Sequence, residues 1–407
     1  MSLPVHRSDE LDPAQRGRGF GRAWRKQVQR SYAGYAELFA AVGASDVRGW
    51  SEQAHAETAA WAPALAEEIA DVAEGCGLPT WQVAALNART EILAAAASNG
   101  EGECSTSVVL PGAGVAPRTV QTWDWHDTLA DGMVIWSLEP RAGHRVHTFT
   151  EFGVLGKIGV NSAGLGVHFN VLRHVRDSAD IGVPVHVVAR RILDEASTVG
   201  EAVAIAGSAR LSASSLITVA TFDGERGEVR GLELSPAGVA GLEPDGTGTF
   251  LHTNHFLDVE LSAGSGPPKR SRAPTSGTPC CGSARTPFPP TTRPPAPAPC
   301  TRTTPTAHRC APTPTRRCRH TGAGRRWRRS PSTWPPPGSA STRAAPAASR
   351  RRAGSGRLER PSRDEESAAD RDTPQWIEDD IRFGRAVFRA NLVLDLSARP
   401  RSPGGPP

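Results

Sequence analysis

The 407-residue chain has no apolar run approaching the ~18 residues that a membrane helix needs. Its N-terminus also lacks the apolar core of a signal peptide, so a soluble, cytoplasmic protein is expected, with no membrane partner. There is no Gly-rich phosphate loop or dinucleotide fingerprint, since the glycines of "NSAGLGVHF" sit inside strand-like sequence. Cysteine is sparse: only Cys76 and Cys104 precede residue 280. The later Cys280, Cys281, Cys300, Cys310 and Cys318 form no C-x-x-C pair, so a zinc site is not expected.

The deepest absence lies in residues 262–357, which contain no Leu, Ile, Val, Met, Tyr, Asp, Glu, Asn or Gln. Residues 261–360 carry 20 Lys and Arg against one acid, Glu359, so the formal charge of +5 conceals an acidic remainder. Ordinary disordered segments are rich in Glu, Gln, Ser and Lys. Here nearly every residue instead has G or C as its second codon base, with Lys269, Phe288, His308 and His320 as the exceptions. A GC-rich gene read out of frame produces that rule, because the wobble base then falls in second position. Shifting the frame by one base lets residues 331–347 be read as a strand-like alternation ending in Gly-x-Pro-Cys, and the single codon of Trp334 fixes one position. Residues 262–357 are therefore expected to be a Pro/Arg-rich, out-of-frame segment, disordered or misfolded. The competing reading is a genuine basic tail that binds nucleic acid or a membrane surface.

Elsewhere the patterning is that of an α+β protein. Residues 21–43, 52–77 and 82–97 show helical periodicity, with Pro79 as a stop signal, and Cys76 reads as a small buried apolar residue. After Asn99-Gly100 the pattern becomes strand-like, in 105–110, 118–125, 134–140, 144–152 and 157–172. Two helices are expected over 183–196 and 198–210, followed by strands in 214–224, 228–238 and 248–258. His168, His252 and His255 suggest a metal only superficially. A strand would put the rings of His252 and His255 on opposite faces, so no metal is expected.

Cys104 sits where the helical segment gives way to strands, in a Gly/Asn-rich stretch suited to cleavage. A lone cysteine there is usually a small hydrophobe. If the chain were cut before it, one residue would carry both a thiol and an α-amine of pKa about 7.7–8.0, nucleophile and base together.

Four ordered blocks resemble a known family: "ECSTSVVLPGAG", "VQTWDW" (120–125), "TEFGVLGKIGVNSAGLGVHFNVL" (150–172) and "LHTNHFLD" (251–258). They are similar to the acyl-CoA:6-aminopenicillanate (isopenicillin N) acyltransferases, which are autoproteolytic cysteine N-terminal-nucleophile hydrolases. "LNARTEIL" (86–93) resembles the segment before that family's cleavage site. The resemblance implies an αββα sandwich with a helical pro-segment over 1–103 and a catalytic domain over 104–261. Residues 262–357 would be the out-of-frame segment and 358–407 a C-terminal tail, either read-through or genuine and helix-like.

The resemblance also implies roles. Cys104 would be the nucleophile and Glu103–Cys104 the self-cleaved bond, although many members have Gly where Glu103 stands. Ser105 or Thr106 would assist the acyl shift, and Asp124 would orient the new α-amine. Asn254 would donate its amide, and Asn170 its backbone N–H, to the oxyanion. Trp123, Trp125 and Phe169 would line an acyl pocket. The implied substrate is a small-molecule amide or an acyl-CoA, with no cofactor and with α and β subunits from one cut chain. The family's active-site arginine, expected in or near a later Cys-containing block, has no position here. An inactive, frameshifted member of the family is thus the second reading, and the nucleic-acid-binding tail the third.

Overall fold

In the computed structural model the described residues are 3–96, 104–265, 382–383 and 387–397, with the backbone alone for 382–383 and 387–391. They belong to one unit. Glu103, nearly all of 262–357 and the start of the tail lie outside the described residues.

A short strand β1 (Val5–Ser8) precedes six helices: α1 (Pro13–Ala23), α2 (Arg25–Ala41), α3 (Val47–Trp61), α4 (Pro63–Cys76), α5 (Thr80–Asn87) and α6 (Arg89–Ala95). Their ends are written in the sequence. Asp12 caps α1 by accepting from the Gln15 N–H, with Pro13 at the first helical position. Gly77 in the left-handed region terminates α4. The expected helix over 21–43 is broken at Trp24, and the one over 52–77 at Ala62, where Pro63 begins a new helix. Helices α1 and α4 touch backbone to backbone. A Cβ at Gly17 or Gly21 would collide with the carbonyls of Glu68 or Val72, so both positions require glycine.

The strands that follow are β2 (Cys104–Val109), β3 (Arg118–His126), β4 (Met133–Arg141), β5 (His144–Glu151), β6 (Ile158–Asn161) and β7 (Leu165–Val171). After α7 (Val185–Glu195) and α8 (Val199–Gly207) come β8 (Ser215–Phe222), β9 (Gly227–Ser235), β10 (Gly238–Leu242), β11 (Thr249–His252) and the turn of helix α9 (Val259–Ser262). Strands β12 (Arg382–Phe383) and β13 (Val387–Leu392) complete the described elements. Helix α8 opens with a reciprocal capping box between Thr198 and Glu201.

Two sheets result, with orders β1-β4-β5-β6-β7-β8-β9-β10 and β11-β2-β3-β13-β12. The pairings are antiparallel except for β1 with β4. Side chains of the two sheets meet at Phe149 against Trp123, Thr106 with Asn170, and His252 with Glu233. The opposite face of the first sheet carries α7, where Phe169 packs on His186 and Asn161 bonds the Leu193 and Ala196 carbonyls. The α+β assignment holds, and Cys76 is buried.

The tail departs from its expectation. The described part of 358–407 is a strand, not a helix: β13 pairs with β3, and Leu392, Leu394 and Leu396 alternate into the core. Period-two leucines beside an open sheet edge satisfy a strand better than a helix.

Candidate active site

Cys104 opens β2, and its direct partner across the ladder is Trp123 of β3. Directly opposed residues share a face, so both side chains enter the space between the sheets. Cys104 is 2% exposed. Burial pushes its pKa up to about 11, opposed by a hydrogen bond from the Asp124 backbone N–H, the charge of Lys157 and the Asn254 side chain.

The Cys104 backbone N–H donates to Asn254 Oδ1 at 2.6 Å, across 150 residues of sequence. Asn254 Nδ2 donates to the Val171 carbonyl at 2.8 Å, which fixes the amide's orientation. Asn254 thus holds the Cys104 nitrogen as well as facing its sulfur. Asp124 meets the sulfur through its backbone N–H, while its carboxylate charge raises the thiol's pKa.

Thr106, two residues along β2 and on the face of Cys104, donates to Asn170 Oδ1 at 2.7 Å. Ser105 is exposed on the other face, so only Thr106 shares the inter-sheet space. Asn170 enters through its side chain. Gln121 takes both backbone groups of Phe169: Oε1 accepts its N–H at 3.0 Å, and Nε2 donates to its carbonyl. Those groups therefore point away from β8, and alternation turns the Asn170 N–H toward Leu216 in the ladder. The backbone donor expected of Asn170 is consequently committed to the sheet.

Trp123, Trp125 and Phe169 are buried, and the two indoles stack with centroids 6.0 Å apart. Their faces carry cations: Lys157 Nζ lies 3.3 Å from the Trp123 ring centroid, and the Arg89 guanidinium 5.4 Å from that of Trp125. Trp125 Nε1 donates to the Tyr35 hydroxyl at 2.9 Å.

The largest feature absent from the sequence reading is this buried charge cluster. Glu151 accepts from Lys157 Nζ at 2.7 Å and from Tyr35 at 2.5 Å, and pairs with Arg89 at 2.5 Å. Burial alone would raise the Glu151 carboxyl, but Arg89 and Lys157 outweigh it and hold it below the usual range. Burial lowers Lys157 to about 7, with Glu151 opposing. One signal could have revealed it: residues 151–161, "EFGVLGKIGVN", contain one acid and one base in an otherwise uncharged run. Charges fully buried in such a run must be paired.

The histidines have other occupations. The strand rule does not apply to His252 and His255, because β11 ends at His252 and the chain turns, so their rings stack at 6.2 Å. His252 bonds Glu233 and His255 bonds the Thr253 hydroxyl. Among the described residues no group of His, Cys, Asp or Glu is arranged to hold a metal, and no helix is long and apolar enough to cross a membrane.

Residues 115–275 match the family described as acyl-coenzyme A:6-aminopenicillanic acid acyl-transferase. A curated relative, the "Acyl-coenzyme A:6-aminopenicillanic-acid-acyltransferase 40 kDa form" of Emericella nidulans, is 29% identical over 195 residues, 48% of this chain and 52% of its own length. The chain thus spans about half the length of the curated relative it matches. The match runs through Trp123, Asp124, Lys157, Asn170 and Asn254, and over residues 115–275 the chain is similar to the acyl-CoA:6-aminopenicillanic acid acyltransferase family.

Proposed function

We propose that this protein is an autoproteolytic cysteine acyltransferase or amidohydrolase whose mature nucleophile is Cys104. The observation that carries the reading is the grip on both reactive atoms of one residue. Asn254 Oδ1 holds the Cys104 nitrogen, and the Asp124 N–H and Asn254 amide face its sulfur. A bond broken between Glu103 and Cys104 turns that held nitrogen into an α-amine, which takes the thiol proton near neutral pH. The thiolate then attacks an amide or acyl-CoA carbonyl, and water or an amine relieves the acyl-enzyme. Asn254 Nδ2 gives one hydrogen to the Val171 carbonyl and turns the other toward the Cys104 sulfur, from which it would pass to the oxyanion that forms when the sulfur attacks.

Buried bonds tie the segment before the cut to the rest. Arg89 and Tyr35 meet Glu151, and Glu91 accepts the Val185 N–H at 2.9 Å. The two fragments would therefore remain one folded body. Incubating the chain with acyl-CoA thioesters and digesting it should give an acyl mass gain on the peptide beginning at Cys104. Turnover with an adduct on another residue, or with none formed at Cys104, would overturn the reading.

An inactive product is favoured by a different observation. The part of the chain that would carry the family's arginine reads as out of frame. Resequencing codons 255–275 together with intact mass separates the two readings, since a clean in-frame read removes the frameshift.

A further inference from the structure

As long as Cys104 is joined to Glu103, its nitrogen is an amide and is no base. The thiol is buried and protonated at neutral pH, so the first cut needs another proton acceptor. Asp124, Asn254 and Lys157 act on the sulfur, and Glu151 and His186 act in turn on or with Lys157. The Asp124 backbone and the Asn254 amide donate to the sulfur rather than accept from it. Glu151 is occupied by Arg89, Lys157 and Tyr35. His186 contacts Arg89 and packs on Phe169, and burial with the charges of Arg89 and Lys157 holds its ring well below the usual imidazole range.

Lys157 is differently placed. Its Nζ lies on the ring of Trp123, the residue directly across the ladder from Cys104, and its charge acts on the Cys104 sulfur. It is fully buried, with Glu151 as its one hydrogen-bonded oxygen among the described residues. An ammonium offers three N–H donors and is poorly served by one oxygen and a ring face, whereas a neutral amine needs less and carries a free lone pair.

We propose that the Lys157 amine accepts the Cys104 thiol proton in the uncut chain and passes it to the departing Cys104 nitrogen. The inference rests on the reading of Cys104 as an autoproteolytic nucleophile. As sulfur attacks the Glu103 carbonyl carbon, the S–C bond forms and the S–H proton moves to Nζ. The carbonyl π pair moves to oxygen. When that pair returns, the C–N bond breaks, and the Lys157 ammonium protonates the Cys104 nitrogen to leave a thioester, an α-amine and the neutral amine again. Water then hydrolyses the thioester.

Glu151 sets the acceptor's position and favours its charged form, while burial and the like charge of Arg89 oppose that form. Among the described residues these groups, with Cys104, His186 and the Tyr35 hydroxyl behind Glu151, act on the amine or its carboxylate partner, and Asp124 acts on the sulfur. The amine must be neutral to accept, so reactivity rises with pH through its titration near 7.

The test uses the full chain made by cell-free synthesis at pH 6 and then shifted to values from 5.5 to 10. Mass spectrometry follows two rates: the appearance of the fragment beginning at Cys104, and iodoacetamide alkylation of Cys104 in uncut chain. Both should rise through a midpoint near pH 7 in the unaltered protein, which needs no variant. At pH 7.5, Lys157→Met and Lys157→Arg should each slow cutting by about 10²-fold, the low end for loss of a general base. Arginine keeps the ion pair with Glu151 but cannot take a proton, so its failure to restore the rate separates proton transfer from structural support. A midpoint at or above pH 9 in the unaltered chain, or wild-type rates in Lys157→Arg, would overturn the proposal while leaving the nucleophile reading intact. A chain that never cuts, yet shows the Lys157-dependent alkylation profile, would instead refute autoproteolysis while upholding the Lys157–Cys104 proton coupling.

Discussion

Two carboxylates, Glu68 and Glu151, are buried in this fold with cations on either side, and they do different things. Glu68, on α4, binds Arg16 of α1 at 2.6 Å and Arg190 of α7 at 3.0 Å. The remaining guanidinium nitrogens find the Glu10, Leu11 and Leu155 carbonyls and Asp194. Burial alone would raise the Glu68 carboxyl, but the two arginines outweigh it and hold it below the usual range. Burial raises Asp194, at the edge of the cluster, to about 6, whereas Glu68 and its two arginines keep their charges, and their work is to join the helices.

Glu151 bridges helix and sheet, and one of its partners is a lysine rather than an arginine. Lysine gives up its charge readily when buried, and arginine does not. The same architecture therefore yields a fixed brace in one place and a titrating amine across from a thiol in the other.

Glu68→Ala should produce the largest change. It leaves two buried guanidiniums without their shared carboxylate, a loss of ~3–5 kcal/mol. Thermal unfolding should drop by about 10 °C, while the pH midpoint of Cys104 alkylation stays where it is. An unchanged melting temperature would remove the brace from the account, and a shifted midpoint would erase the distinction between the clusters.

Glu91 sharpens the comparison as a buried carboxyl without an ion-pair partner of its own among the described residues. Burial raises it to about 7, opposed by the Val185 N–H that it caps. Its folded pKa lies above the unfolded value, so its contribution is fully present below about pH 4.5 and is lost as pH rises through 7. Glu91→Gln keeps an oxygen for Val185 and abolishes the titration. Urea unfolding should find this variant more stable than the unaltered chain by about 2–3 kcal/mol at pH 8 and little different at pH 4.5. A difference independent of pH would contradict the assignment.

The smallest effect is expected from Tyr35→Phe. That hydroxyl accepts from Arg89 Nε at 2.6 Å and from Trp125 Nε1, and donates to Glu151. Its removal leaves these groups short of one partner each, at about 1–2 kcal/mol in urea unfolding. No loss at all would mean that the Glu151 cluster tolerates vacancies which the Glu68 cluster does not.

The sequence exposes these two clusters poorly, and the reason is physical. Arg89, Glu151 and Lys157 come from separate stretches, and a single lysine between Gly156 and Ile158 reads as a surface residue until the sheets close over it. Cys104, Asp124, Asn170 and Asn254 were legible because recognisable blocks carry them, although the route by which Asn170 enters was not. That route depends on Gln121 reaching across to Phe169, a contact between sheets with no local signature. Helix breaks at Trp24 and Ala62 escaped because the apolar period continues through them. Strand β13 escaped because only the open edge of β3 gives its leucines a strand to join.

The central claim is that Cys104 becomes a chain terminus. Intact mass measurement of the purified full-length protein tests it most directly. Two co-eluting fragments are expected, one ending at Glu103 and one beginning at Cys104, with a single uncut chain for Cys104→Ala. A single uncut chain of the unaltered protein that still transfers or hydrolyses acyl groups would contradict it.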